Sequence, residues 1–298
     1  MSVAASAEAL RARLKERTGW PKPEQKLAFA DFHIHTRFSR DSILTEKRFI
    51  ECALERGLTH ACVTNHNNVE GAVAVRDKVR ELGVEDRLTV ILGEEVSTAD
   101  GEVVGLFLEK TIPRGLSANE TADEIHRQGG LVSIPHPFDP FRGSRIRQGP
   151  LRNLAESRKV DTIEVFNSRV TFQRHNLEAA EFAARYEIPG IACSDSHSSF
   201  EVAMSFNALP MFETAAELRA LLPQNDWHGS RASVFIHATT RWAVWKNTFD
   251  AWRGRRAAAG QILGPEPPEE VAREPVKRPA PSELPSPDAE DDGEERRG

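Results

Sequence analysis

At 298 residues, with 39% hydrophobic and 28% charged content, the chain is long enough to bury a full globular core. No stretch approaches the roughly 20 apolar residues of a transmembrane helix, and Met1-Ser2-Val3-Ala4-Ala5-Ser6 lacks a secretory signal's charged flank and apolar core, so a cytoplasmic location is the default expectation. The net charge of -6 arises from Gly264 onward, where 11 acidic side chains meet 5 basic ones; the preceding residues carry 34 of each, which excludes a global basic field for holding nucleic acid.

In chain order, the Ala- and Arg-rich stretch Ala7 to Lys15 predicts a helix, and with the prolines at 21 and 23 it marks residues 1–26 as a helical extension. An apolar run from Leu27 predicts a strand reaching His35. A polar loop, Arg37 to Ser42, leads to a helix at 45–57 with Phe49, Ile50, Ala53 and Leu54 at helical spacing and Gly57 as its stop. A strand at 58–64, a helix at about 69–82 and a strand ending at Glu95 follow. Asp100-Gly101 between apolar runs predicts a hairpin. Ser117-Ala118-Asn119-Glu120 is a capping box, opening a helix that closes at Gly129-Gly130. A strand at 131–135, a basic loop at 138–149, a strand at 161–166, a helix at 171–187 and a strand at 188–193 complete seven strands, which suggests an α/β fold, a βα barrel or close variant. Further on, 213–222 predicts a helix, 232–236 a last strand, and 241–258 a helix with Trp242, Trp245, Phe249 and Trp252 on one side. The principal domain is thus 27–258, and the acidic, Pro-rich residues 259–298 are expected to be a disordered tail.

The chemistry sits where these strands end. Residues two apart in a strand share a face, so His33 and His35 emerge together, as paired metal ligands must. On its own an H-x-H pair is more often a hydrogen-bonded core feature. Four more apolar runs, however, end in His, Asp or Glu: at Asn65-His66-Asn67, Gly93-Glu94-Glu95, His136-Pro137 and Ser194-Asp195-Ser196-His197. In βα architectures that edge of the sheet collects functional groups. Mixed imidazole and carboxylate ligands suit zinc, manganese or iron. Cys52, Cys62 and Cys193 are odd in number and lie in apolar segments, which predicts buried free thiols. Arg142, Arg145 and Arg147 form a candidate phosphate clamp, with a solvated loop as the alternative. Glu164 and Asn167 are candidates for substrate contact, with inward burial as the alternative for Glu164. His60, His126, His175, His228 and His237 lie away from the active strand ends and are expected to be structural or exposed.

His33-Ile34-His35, Thr64-Asn65-His66-Asn67, Gly93-Glu94-Glu95, Ile134-Pro135-His136-Pro137 and Ser194-Asp195-Ser196-His197, in this order, resemble the polymerase and histidinol phosphatase (PHP) family, most closely its stand-alone phosphoesterases. The resemblance implies a distorted seven-stranded βα barrel of TIM type with up to three divalent metals at its C-terminal mouth. It implies a first metal on His33, His35, Glu95 and Asp195, a second shared by Glu95 and His136, and a third on Asp41, His66 and His197. The family usually has Thr-Asp-His where this chain has Asn65; losing that carboxylate is expected to weaken the third site through His66. Some relatives place a His in the hairpin where this chain has Glu102, which either ligates the second metal or faces solvent.

The function so implied is metal-dependent hydrolysis of phosphate esters by a hydroxide bridging two metals, with Asp41, His66, Asp195 and His197 as catalytic residues. The substrate expected is a small phosphorylated molecule, a nucleotide or short oligonucleotide included. No membrane and no stable nucleic-acid partner are expected. Two alternatives remain open: an amidohydrolase-like deacetylase, disfavoured because no Lys sits at a strand end, and a non-catalytic PHP module, disfavoured by the near-complete ligand set.

Overall fold

Both faces of the strand carrying the first histidines are covered: β1 (Leu27–Ile34) is buried at every residue, as its apolar run requires. The computed structural model describes residues 26–232. The helix expected near the N-terminus, the strand at 232–236 except Ala232, the aromatic helix at 241–258 with His237 before it, and the tail lie outside the described residues.

β1 pairs in parallel with β2 (His60–Val63), and β2 with β3 (Thr89–Thr98). The crossovers are α1 (Glu46–Arg56) and α2 (Glu70–Glu81). Thr45 caps α1 by accepting from the Arg48 N–H, and Gly57 ends it at φ 81°, a left-handed conformation that glycine takes without steric cost. Phe49, Ile50, Cys52 and Ala53 on α1 are buried in one apolar cluster with Phe29, Ile34 and Phe206.

β3 turns back into β4 (Gly101–Leu106) with Thr98 opposite Gly101, so the turn residues are Ala99 and Asp100. Gly101 has φ 123°, and a Cβ there would come within 2.4–2.6 Å of the Arg145 and Ile146 backbone. Only glycine lets the basic loop lie this close to the hairpin. Ser144 O accepts from Glu102 N, and Asp100 O from Arg147 N, both at 2.8 Å. β4 pairs antiparallel with β5 (Leu131–Ile134); β5, β6 (Thr162–Asn167) and β7 (Gly190–Cys193) then run parallel. The connecting helices are α3 (Ala118–Arg127), opened by the expected capping box, α4 (Gln148–Glu156) and α5 (Gln173–Tyr186).

Nine strands, rather than seven, form the described sheet, in the order β7-β6-β5-β4-β3-β2-β1-β8-β9. The added pair is β8 (Ser205–Pro210), antiparallel to β1, and β9 (Asp226–Gly229), antiparallel to β8; between them lie α6 (Ala215–Leu221) and a 3-10 turn at Leu222–Gln224. One side chain nearly closes the barrel. Asn207 on β8 donates to Ala30 O and Ala192 O and accepts from Ala192 N, stitching β8 to β7 as well as to β1. At the mouth, His35 N donates to Ser196 O at 2.9 Å, bringing the ends of β1 and β7 together. No described helix is long and apolar enough to cross a membrane, and Cys52, Cys62 and Cys193 are buried free thiols.

Candidate metal centre

Strand alternation sends Glu94 away from the mouth, where it accepts from Ile112 N, and Glu95 into it. Glu95 is the hub of the site. Its Oε2 lies 3.1 Å from His66 Nδ1, 3.2 Å from His35 Nε2 and 3.5 Å from His33 Nε2, while Oε1 lies 3.2 Å from His136 Nε2. Asp195 Oδ1 lies 3.6 Å from His35 Nε2, 3.7 Å from His33 Nε2 and 3.5 Å from His197 Nδ1. Asp41 Oδ2 sits between His66 Nε2 and His197 Nε2, at 3.3 and 3.1 Å. Glu102 Oε1 is 3.9 Å from His66 Nδ1, and its Oε2 accepts from Ser144 Oγ at 2.6 Å. Four overlapping groups thus have ligand atoms within 4.8 Å of one another: His35, Asp41, His66 and His197; His33, His35 and Asp195; His33, Glu95 and His136; His66, Glu95 and Glu102.

The backbone is bent to aim these groups. His136 and Asp195, each just beyond a strand, have φ of 28° and 53°. Such conformations cost about 1–3 kcal/mol each in non-glycine residues and persist where surrounding contacts enforce them.

Two family models fit this arrangement. A PHP domain matches residues 31–166 and a PHP-associated region matches 173–222; the first takes in His33, His35, Asp41, His66, Glu95, Glu102 and His136, the second Asp195 and His197. Two uncharacterised proteins of Methanocaldococcus jannaschii are similar: MJ1587, 36% identical over 152 residues (47% of this chain, 81% of the relative), and MJ0417, 33% identical over 180 residues (59% and 68%). The chain belongs to the PHP family. A solved structure from Bacteroides vulgatus, a two-domain protein containing a predicted PHP-like metal-dependent phosphoesterase, shares the fold of this PHP chain with a TM-score of 0.57 at 18% identity; the likeness covers 69% of this chain and 66% of that one.

Within this PHP site, Glu164 takes the inward, paired placement that the sequence left open as its alternative. Glu164 is turned inward beneath the cluster rather than toward a substrate: Oε1 meets His33 Nδ1 at 2.6 Å, and Oε2 accepts from His136 N and Asn167 Nδ2. Asn167 is also buried, its amide donating to Asp195 Oδ2 at 3.2 Å. Of the three arginines, only Arg142 reaches the cluster, donating to Asp195 Oδ2. Arg147 pairs instead with Asp100 on the hairpin turn, and Arg145 lines, with Arg147 and Glu102, a neighbouring cleft of about 300 Å³. His60 Nε2 donates to Phe212 O, His126 Nε2 to Asp161 Oδ2 and His175 Nδ1 to Glu178 Oε2, all away from the cluster.

Asn65 works on a different histidine from the one expected. Its Oδ1 accepts from Thr36 N at 2.8 Å and from Ser39 Oγ at 2.9 Å. Since His66 N also donates to Ser39 Oγ, and the single hydroxyl proton is committed to Asn65, the 3.0 Å contact of Ser39 Oγ with His35 Nδ1 needs the proton on Nδ1. His35 Nε2 is thereby left as a bare lone pair facing Glu95. His33 is held by Glu164, and His197 Nδ1 faces Asp195 O at 2.8 Å, which turns its Nε2 toward Asp41. Sequence reasoning missed Ser39 in this role. It also missed the buried Arg169–Glu201 ion pair (3.2 Å), which braces the Asp195–His197 segment: Glu201 Oε2 accepts from His197 N and Ser198 Oγ.

Burial works against charge throughout the site, so the charges that persist reveal their partners. Burial lowers His33, but Glu164, Asp195 and Glu95 carry its pKa well above the ordinary imidazole value. Beside it, burial together with His197 and His66 pushes His35 down to about 3. Burial raises Asp195, yet Arg142, His33 and His197 hold it well below the carboxylate range. Burial and the Glu95 charge raise Glu102. The residues fit divalent cations on two grounds. Glu95 Oε2, Asp195 Oδ1 and Asp41 Oδ1 are buried oxygens without a hydrogen-bond donor, which a cation would satisfy, and the nitrogen and oxygen donor set suits zinc, manganese or iron.

Proposed function

We propose that this PHP chain is a metal-dependent hydrolase of phosphate esters, its two or three zinc, manganese or iron ions held by His33, His35, Asp41, His66, Glu95, Glu102, His136, Asp195 and His197. The observation that carries this reading is Glu95, one buried carboxylate facing four imidazoles. A carboxylate so placed would suit cations held by the surrounding imidazoles better than any one hydrogen bond. Metals bound there would supply an acidified water as nucleophile and neutralise charge on the phosphoryl oxygens.

The chain's own groups do the rest. Ser39 and Glu164 keep His35 and His33 oriented with Nε2 toward the site. Arg142, beside Asp195, supplies a guanidinium that can fork onto two phosphate oxygens, and Asp41, His66 and His197 form the further ligand group at the mouth. Cys193, the thiol beside the site, does not compete as a nucleophile: it is buried, and burial pushes its thiol well above the usual value, which suppresses the thiolate. The substrate is a small phosphorylated molecule, a nucleotide or short oligonucleotide among the candidates.

A panel of phosphate mono- and diesters, assayed with manganese or zinc, tests this. Turnover should appear with metal, vanish on exhaustive chelation, and fall at least about 100-fold in His33→Ala and Asp195→Asn, while Cys193→Ser keeps most of it. A trapped covalent phosphoryl-enzyme would rule the reading out.

A further inference from the structure

The ligand atoms at the mouth fall into corners of unlike chemistry. His35, Asp41, His66 and His197 bring together three imidazoles and one carboxylate, whereas His66, Glu95 and Glu102 bring together two carboxylates and one imidazole. Glu102 makes the difference. It is buried, and it stands 3.9 Å from an imidazole on either side, Oε1 from His66 Nδ1 and Oε2 from His136 Nε2. With His66 Nε2 turned to Asp41, the second corner keeps its two carboxylates and His136. A glutamate side chain has freedom to swing away from such a corner, and Ser144 removes it. Ser144 meets Glu102 twice: its O accepts from Glu102 N at 2.8 Å, and its Oγ donates to Glu102 Oε2 at 2.6 Å. The loop that carries Ser144 is itself fastened to the hairpin, by Arg147 N donating to Asp100 O and by the close approach that Gly101 permits. Backbone contacts thus deliver the hydroxyl that holds one carboxylate oxygen and leaves Oε1 facing His66.

We infer that Glu102, positioned by Ser144, narrows zinc's advantage over manganese at its own corner, so that the centre is built for two kinds of metal: zinc among the imidazoles, manganese beside Glu95 and Glu102. The inference rests on the metal-dependent reading above and deepens it, by dividing the sites between cations. Imidazole suits zinc, while carboxylate oxygen suits manganese and magnesium. Zinc generally outbinds manganese at nitrogen and oxygen donors, so the selectivity is relative, and it is smallest where carboxylates outnumber imidazoles. Ligating carboxylates act fully only when a neighbour holds them in place, which is the part Ser144 takes as a positioning residue.

Displacement tests this without turnover. The manganese-loaded full chain is titrated with zinc while released aqueous manganese is followed by its electron paramagnetic resonance signal. Manganese should leave in two steps, the later one needing roughly tenfold more zinc or beyond. In Glu102→His, which exchanges the carboxylate for an imidazole, the later step should merge with the first. In Ser144→Ala it should move about tenfold toward lower zinc, and Ser144→Thr, which keeps the hydroxyl, should hold it in place. A single step in the parent chain overturns the inference, as does a late step that Glu102→His or Ser144→Ala leaves where it was. A parent chain that binds zinc but no manganese overturns it too, while leaving the metal-dependent reading intact. Binding of neither cation sinks that reading, and the inference with it.

Discussion

One hydroxyl proton decides how His35 presents itself. Ser39 gives its proton to Asn65, so His35 keeps its own on Nδ1 and turns a bare Nε2 to the cluster. Groups that orient a ligand in this way commonly change metal affinity by 10–100-fold. Ser39→Ala should therefore weaken zinc binding by about 10-fold or more and alter the ring ¹⁵N shifts of His35. Asn65→Asp, which makes the Ser39 hydrogen bond charge-assisted, should tighten binding. Unchanged affinity in Ser39→Ala would show that His35 is fixed by packing alone. None of this was legible from spacing. His33, His35, His66, Glu95, His136, Asp195 and His197 could be read because each ends an apolar run, and strand alternation then dictates which way it points. Ser39 could not, and for Glu164 the inward reading could be weighed but not its partner, because these roles are set by contacts 26 to 131 residues apart in the chain.

Among the elements, the outer helices are tied to the sheet through Asp161, just ahead of β6. Its carboxylate takes hydrogen bonds at 2.8 Å from His126 Nε2 on α3, Arg219 Nε on α6 and the Val132 N–H on β5. Burial would raise Asp161, but the hydrogen bonds from His126 and Arg219 hold it below its ordinary value. A carboxylate depressed in the folded state contributes stability that is complete above the unfolded pKa of about 3.9 and is lost as pH falls through the lower folded value. Asp161→Asn should thus cost about 1–3 kcal/mol in urea unfolding at neutral pH, and the gap between variant and parent should narrow as the solution is acidified below about pH 4. A gap that is independent of pH would mean the charge plays no part. The helices and parallel strands up to β7 were legible because period 3.6 and period 2 patterns alternate cleanly with caps such as Thr45, Gly57 and Ser117. α4 was hidden because Arg147 offers no side-chain cap and Gly149 and Pro150 open its first turn. β8 was hidden because Ser205-Phe206-Asn207 puts a polar residue into the barrel seam, where Asn207 joins strands whose proximity only closure creates.

For the molecule as a whole, near-closure of the sheet is what turns five separate strand ends into one centre, with the ends of β1 and β7 joined at His35 and Ser196. This centre is proposed to hold catalytic metals. Metal ligation needs neutral imidazoles and ionised carboxylates, so affinity should fall steeply as pH drops through the imidazole range. The most direct test is to titrate metal-stripped protein with zinc or manganese while following phosphate-ester turnover in the same samples. Two or three equivalents should bind, with activity rising in step with their binding and both lost together in Glu95→Gln. Turnover that is unaffected by metal removal, or a protein that takes up no metal with its cluster residues intact, would contradict it.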